Sequence, residues 1–230
     1  MQREDAIALT MYDCASRVRV YAHQRYKARS RNTMAMTKQQ GVAWFVDGAY
    51  ALSAWNGSVS GAKFDYLKLR QYIEEDAGER IGDAYYFNCD SDPPTIAQTG
   101  FNKFLSSAPP KGAGLRVKLY WLQSKAHEWP ASAGGGPILH PVTGEQYTTK
   151  SQKGVDVGLA FNLMRSHAKR GWKKLYLVAG DGDFHEVVQY LVENEGVEVT
   201  VIGAHFSISG EIAPYVRVVE FKEIEAAIAR

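Results

Sequence analysis

The chain has 230 residues, of which 45% are hydrophobic and 23% charged, with a formal net charge of +2. That composition excludes a disordered, fibrous or collagen-like chain, and the length suffices to bury roughly 70–75% of the unfolded surface. Charge so close to balance excludes a uniformly polybasic protein, so any attraction for a polyanion must come from local clustering. Only two cysteines are present, Cys14 and Cys89, too few for a disulfide framework or a CxxC zinc site. The first residues are charged, with no apolar signal core, and no apolar run nears the ~20 residues of a membrane span. A soluble, cytoplasmic protein with no membrane partner is expected.

Residues 1–40 read as a basic helical N-terminal extension and linker, and residues 41–230 as one domain. A helix is expected over residues 7–26. Residues 42–46 (VAWFV) form an apolar run that predicts a buried strand, ended by the turn signal Asp47-Gly48. Helical spacing of Leu67, Leu69, Tyr72 and Ile73 predicts a helix over 65–76. A second strand is expected at 84–87, a helix at 95–105 closed by Pro109-Pro110, and a third strand at 115–122. Residues 123–151 are a long connection rich in Gly and Pro, expected to be a hairpin excursion turning at Thr143-Gly144. Trp121 and Trp129 at its start are expected to pack in the core or to anchor the loop. A helix over 155–168, a strand at 175–178, a helix capped by Asp183, a strand at 197–202 and a last strand at 216–221 follow. Strands separated by helices predict βαβ units and a parallel sheet, an α/β fold.

In such sheets, sites form at the carboxyl ends of the strands. Asp47 ends the first strand, and Asp181 and Asp183 follow the 175–178 strand. Asp156 lies in the first turn of the preceding helix, which starts at the same rim if it runs antiparallel to the sheet. Taken singly, each has a structural reading: a turn at Asp47, a helix-dipole partner at Asp156, a loop at Asp181, a cap at Asp183. Together they make four carboxylates on one rim. Such groups repel one another, and a hard cation relieves the conflict; all-oxygen ligands suit Mg²⁺ or Mn²⁺, the ions of phosphodiester hydrolysis.

The stretches FVDGAY (45–50), KGVDVGLA (153–160) and LVAGDGDF (177–184) resemble, in order and spacing, the NYN domain, the LabA-like branch of the PIN-like nuclease superfamily. The resemblance runs from about Gly41 to Phe221. It implies a three-layer α/β/α PIN-like domain with a mainly parallel central sheet, an acidic Mg²⁺ or Mn²⁺ site, and hydrolysis of RNA. By motif position, Asp47, Asp156 and Asp181 are the expected core metal ligands and catalytic groups, with Asp183 a further ligand or the holder of a metal-bound water.

Two positions depart from the family pattern. Tyr50 stands where D-G-x-N has asparagine, and Asn162 where another acid is common. Cations near the rim are needed to hold RNA against four carboxylates, and Lys150 and Lys153, beside Asp156 in sequence, are the candidates, with Tyr50. Arg25 and Lys27, set among Tyr21 and Tyr26, are candidate RNA contacts in the extension, where cations meet phosphates and rings stack on bases; a helix that packs on the domain or forms a homodimer is the alternative. Arg165, Lys169, Arg170, Lys173 and Lys174 read as solvated charge at the far end of a helix. A haloacid-dehalogenase-like phosphatase needs a second acid two residues after Asp47, where Ala49 stands. The remaining alternative is an inactive RNA-binding or adaptor protein on the same fold.

Overall fold

A computed structural model describes residues 41–230. The expected N-terminal helix, with Arg25 and Lys27, lies outside the described residues.

In chain order the elements are β1 (Val42–Asp47), α1 (Gly48–Ser58), α2 (Tyr66–Ala77), β2 (Ile81–Asp90), α3 (Ile96–Ser106), β3 (Arg116–Trp121), β4 (Gln123–Ala126), β5 (Thr148–Ser151), α4 (Val155–Arg170), β6 (Lys174–Val178), α5 (His185–Glu193), β7 (Glu198–Gly203), β8 (Arg217–Glu220) and the short α6 (Glu225–Ile228). Six strands form one parallel sheet in the order β3-β2-β1-β6-β7-β8. The antiparallel pair β4–β5 is the expected hairpin, its tip turning between His140 and Gly144, where the Gly144 N–H bonds the His140 carbonyl.

Each strand of the centre is buried on both faces, which is why VAWFV is apolar without alternation. Trp44, Val46, Tyr86 and Val178 face one side with Trp55, Leu69, Ile73 and Leu105 of α1, α2 and α3. Ala43, Phe45, Phe87 and Leu177 face the other with Leu159, Leu163, Val188 and Leu191 of α4 and α5. The result is three layers with two cores, each fully buried large side chain contributing roughly 1.5–3 kcal/mol. Among the described residues no helix is long and apolar enough to cross a membrane.

Helix starts are written locally. Asp65 caps α2 by accepting from the Leu67 and Lys68 N–H groups at 2.8 and 3.1 Å, and Thr95 caps α3 in a reciprocal box with Gln98. Some expectations need correction. Asp47-Gly48 does not turn the chain but opens α1, because the Asp47 carboxylate satisfies the first free N–H groups of that helix. Asp181, not Asp183, is the cap before α5: its Oδ1 accepts from the Asp183 N–H at 3.1 Å and starts a one-turn 3₁₀ segment, Gly182–Phe184. Trp121 and Trp129 are about half exposed and anchor no core.

Strand order reverses at β1. The chain steps from β1 to β2 and β3 with α1, α2 and α3 on one face, then returns to β6 and β7 with α4 and α5 on the other. Opposite directions of travel put right-handed crossovers on opposite faces, so the connections after β1 and β6 diverge and leave a crevice at their carboxyl ends.

Candidate metal and nuclease site

The crevice between the ends of β1 and β6 is where the acidic residues lie. Asp47 closes β1, and its Oδ1 accepts from the Ala49 and Tyr50 N–H groups at 2.9 and 3.0 Å. Oδ2 makes no hydrogen bond among the described residues, so the cap fixes the carboxylate while one oxygen remains available. Asp181 and Asp183 are exposed on the 3₁₀ turn after β6, and Asp156 is half-buried in the first turn of α4.

The electrostatics tie these groups together. Burial raises the Asp47 pKa, and the charges of Asp156 and Asp181 raise it further, against the lowering effect of the Tyr50 and Ala49 N–H groups. Burial also raises Asp156, with Asp181 and Asp183 adding to the shift. Three separate segments thus bring four carboxylates into one field. Among the described residues no three acidic, histidine or cysteine side chains close on one point as a ready-made ligand cage. Mg²⁺ does not require one, since it keeps several waters and binds through one or two carboxylates; the donor set is a hard-oxygen set of that kind.

Other predicted residues fall differently. Lys150, on β5, and Lys153, just before α4, are exposed and close in sequence to Asp156 in the first turn of α4. The Lys153 backbone N–H bonds the Cys89 sulfur, pinning the approach to α4 against the end of β2; burial raises that thiol's pKa. Tyr50 is half-buried, and its hydroxyl bonds Ser207 Oγ at 2.8 Å. The phenol runs against the backbone at Gly180 and Gly203, where any Cβ would collide with it. Tyr50 therefore braces the ends of β6 and β7, and glycine in the LVAGDGD stretch is what makes room for it. Asn162 is buried, donates to the Gly158 carbonyl at 2.7 Å and accepts from Arg165 at 3.1 Å.

Sequence reasoning missed two acids and a groove. Asp90 ends β2 as Asp47 ends β1; it is 4% exposed and accepts from Asn102 Nδ2 at 2.7 Å. A carboxylate closing a strand was the signal for it. Glu211, beyond β7, comes so near Gly182 that a Cβ there would sit 3.0 Å from its Oε2; nothing in the sequence marks it. Between α1 and α3 lies a groove of about 780 Å³, lined by Leu52, Tyr66, Tyr86 and Phe101 with the carboxamides of Asn56 and Asn102. It reaches Gly48 and Ala49, immediately beside Asp47.

Comparison with known proteins adds the following. The model of the NYN domain matches residues 41–217. No curated protein matches the sequence. The crystal structure of a protein of unknown function from Vibrio parahaemolyticus, VPA0982, is similar in fold, with a TM-score of 0.56 at 20% identity, covering 86% of this chain and 100% of that one.

Proposed function

The chain belongs to the NYN domain family, whose fold is that of the PIN-like nucleases, and on that premise we propose that it is a metal-dependent ribonuclease, an endonuclease, that hydrolyses RNA phosphodiesters at the rim between β1 and β6. The observation that carries the reading is the gathering of Asp47, Asp156, Asp181 and Asp183, drawn from three segments, at the point where strand order reverses. Four carboxylates in one field cost stability that packing does not require, which is what a cation site demands of its ligands.

Asp47, Asp156 and Asp181 would hold Mg²⁺ or Mn²⁺, with Asp183 as a further ligand or as acceptor for a bound water. The ion, when bound, supplies charge for the phosphodiester and a more acidic attacking water. The protein's own groups do the positioning. Asp47 is fixed by two backbone N–H groups, so its orientation survives the repulsion of its neighbours. Lys150 and Lys153 stand at the approach to Asp156 and neutralise RNA phosphates there. The groove beside Asp47 offers the exposed Phe101 ring for stacking and carboxamides for the edge of a base next to the cut. Tyr50 holds the β6 and β7 ends together under the turn that bears Asp181 and Asp183.

The test is cleavage of an end-labelled RNA pool by the purified protein with Mn²⁺, Mg²⁺ or EDTA, beside Asp181→Asn. Cutting that needs the ion and is lost in the variant is expected; equal cutting by the variant would overturn the assignment. A second reading, an RNA-binding protein without cleavage, is favoured by Asn162, which ties a commonly acidic position to Arg165. Metal-independent RNA binding with no product under any ion would select it.

A further inference from the structure

Cations far from the rim also converge. Arg116 and Lys118 share one face of β3 with Tyr120, at every second residue, and so face the α4 side of the sheet. There they meet Arg165, Lys169 and Arg170 of α4 around a pocket of about 400 Å³. The only acid lining it is Asp83, which is 3% exposed. Asp83 is fully engaged: it accepts from Arg116 and from Ser166, whose oxygen in turn accepts from Trp172 Nε1 at 2.9 Å. Arg116 is also held by the Tyr85 hydroxyl at 2.8 Å. The pocket is therefore built on a buried network, with five cationic groups against one carboxylate. Lys118 and Lys169 are exposed, with no anionic partner among the described residues. In a chain whose net charge is only +2, this is a local excess of positive charge that Asp83 alone among the pocket's residues offsets.

We propose that this pocket is a second, catalytically silent binding site for the phosphate backbone of the RNA strand cut at the rim, so that substrate is gripped along the α4–β3 edge. This rests on the ribonuclease reading above. At 1.5 Å per residue, Arg165 and Lys169 lie about 14 and 20 Å along the helix axis from Asp156. A stacked strand advancing about 3.4 Å per nucleotide reaches them after roughly four to six nucleotides. Gly158, where any Cβ would collide with the Tyr120 hydroxyl, keeps the edge of α4 between the two places close to β3. The β4–β5 hairpin, carrying Lys150, leaves the sheet at the rim end of that edge. The acidic rim repels the polyanion and the basic pocket holds it, which makes a minimum substrate length a property of the fold.

The experiment uses the full chain carrying Asp181→Asn in EDTA, so that no cleavage is required. RNA affinity is measured against salt for this protein and for the same protein with Lys118→Ala and Lys169→Ala. A log–log salt slope shallower by about 2, one per lost phosphate contact, is expected, and Lys118→Arg with Lys169→Arg restores it. An unchanged slope and affinity overturn the pocket while leaving cleavage by the wild type untouched. A reduced slope in a protein whose wild type never cuts supports the pocket and removes the nuclease. A protein that binds no RNA overturns the pocket. In the cutting enzyme, the wild-type preference for RNA extending six nucleotides past the cut over RNA extending two is lost in the lysine-to-alanine double variant; no preference in the wild type overturns the proposal.

Discussion

The two ends of α4 carry opposite charge and are held in opposite ways. At its start, Asp156 joins carboxylates at strand ends; burial and the neighbouring charges raise the pKa of Asp47 and of Asp156. Toward its finish, Arg165, Lys169 and Arg170 join β3 cations above a buried carboxylate satisfied by Arg116 and Ser166. The rim is electrostatically strained and hydrogen-bonded chiefly to backbone. The pocket is floored by a satisfied side-chain network. Mutually repelling carboxylates suit a cation; the exposed Lys118 and Lys169 above a satisfied floor suit an anion.

The sharpest way to break the contrast is at the rim. Asp47→Asn and Asp181→Asn should each lower single-turnover RNA cleavage on the order of 10²–10³-fold. Both should keep the native fold by circular dichroism, because asparagine caps a helix or turn as well as aspartate does. Variants that unfold would mean that these aspartates are structural.

At the pocket the balance between folding and charge reverses. Arg116→Ala leaves Asp83 buried beside a single hydroxyl, and should cost about 3 kcal/mol in urea denaturation, the low end for a broken buried pair because the guanidinium is half exposed. Lys118→Ala should cost less than about 0.5 kcal/mol. Equal costs would mean that the floor is not what supports the pocket.

Ions sharpen the comparison further. Mn²⁺ or Mg²⁺ at about a hundred times its Kd should stabilise the wild type by about 2.7 kcal/mol, a rise in Tm of roughly 5–10 °C. Asp181→Asn should lose most of that rise, and the Lys118→Ala, Lys169→Ala double variant none of it. The smallest effect concerns protons. Asp47 and Asp156 bind a proton more tightly folded than unfolded, so in EDTA they subtract stability at neutral pH, and that loss is regained as pH falls through the raised carboxylate range. Asp156→Asn should therefore melt at or above the wild-type Tm at pH 7, and the gap should close toward pH 4–5. A gap that widens on acidification would contradict the repulsion.

Much of this was written in local sequence. Continuous apolar runs, unlike alternating ones, are the mark of strands buried on both faces, so 42–46 and 175–178 were legible without a structure. The caps Asp65 and Thr95, and the GDGDF stretch, were equally local, since a cap bonds groups two or three residues away. The four rim aspartates could be placed on one edge because a parallel βαβ chain sends every strand end the same way. What only the tertiary structure decided depends on pairings between distant segments. Helix α1 was hidden because Asp47-Gly48 is equally a turn signal, and its packing against the sheet settles the choice. Tyr50 bracing Gly180 and Gly203, Glu211 beside Gly182, and the meeting of β3 cations with those of α4 all join residues 30 or more apart, or fall on loops. Sequence spacing along one helix made Arg165, Lys169 and Arg170 look like solvated charge. The register of β3 beside β2 put Arg116 and Lys118 opposite them and turned a helix end into a pocket.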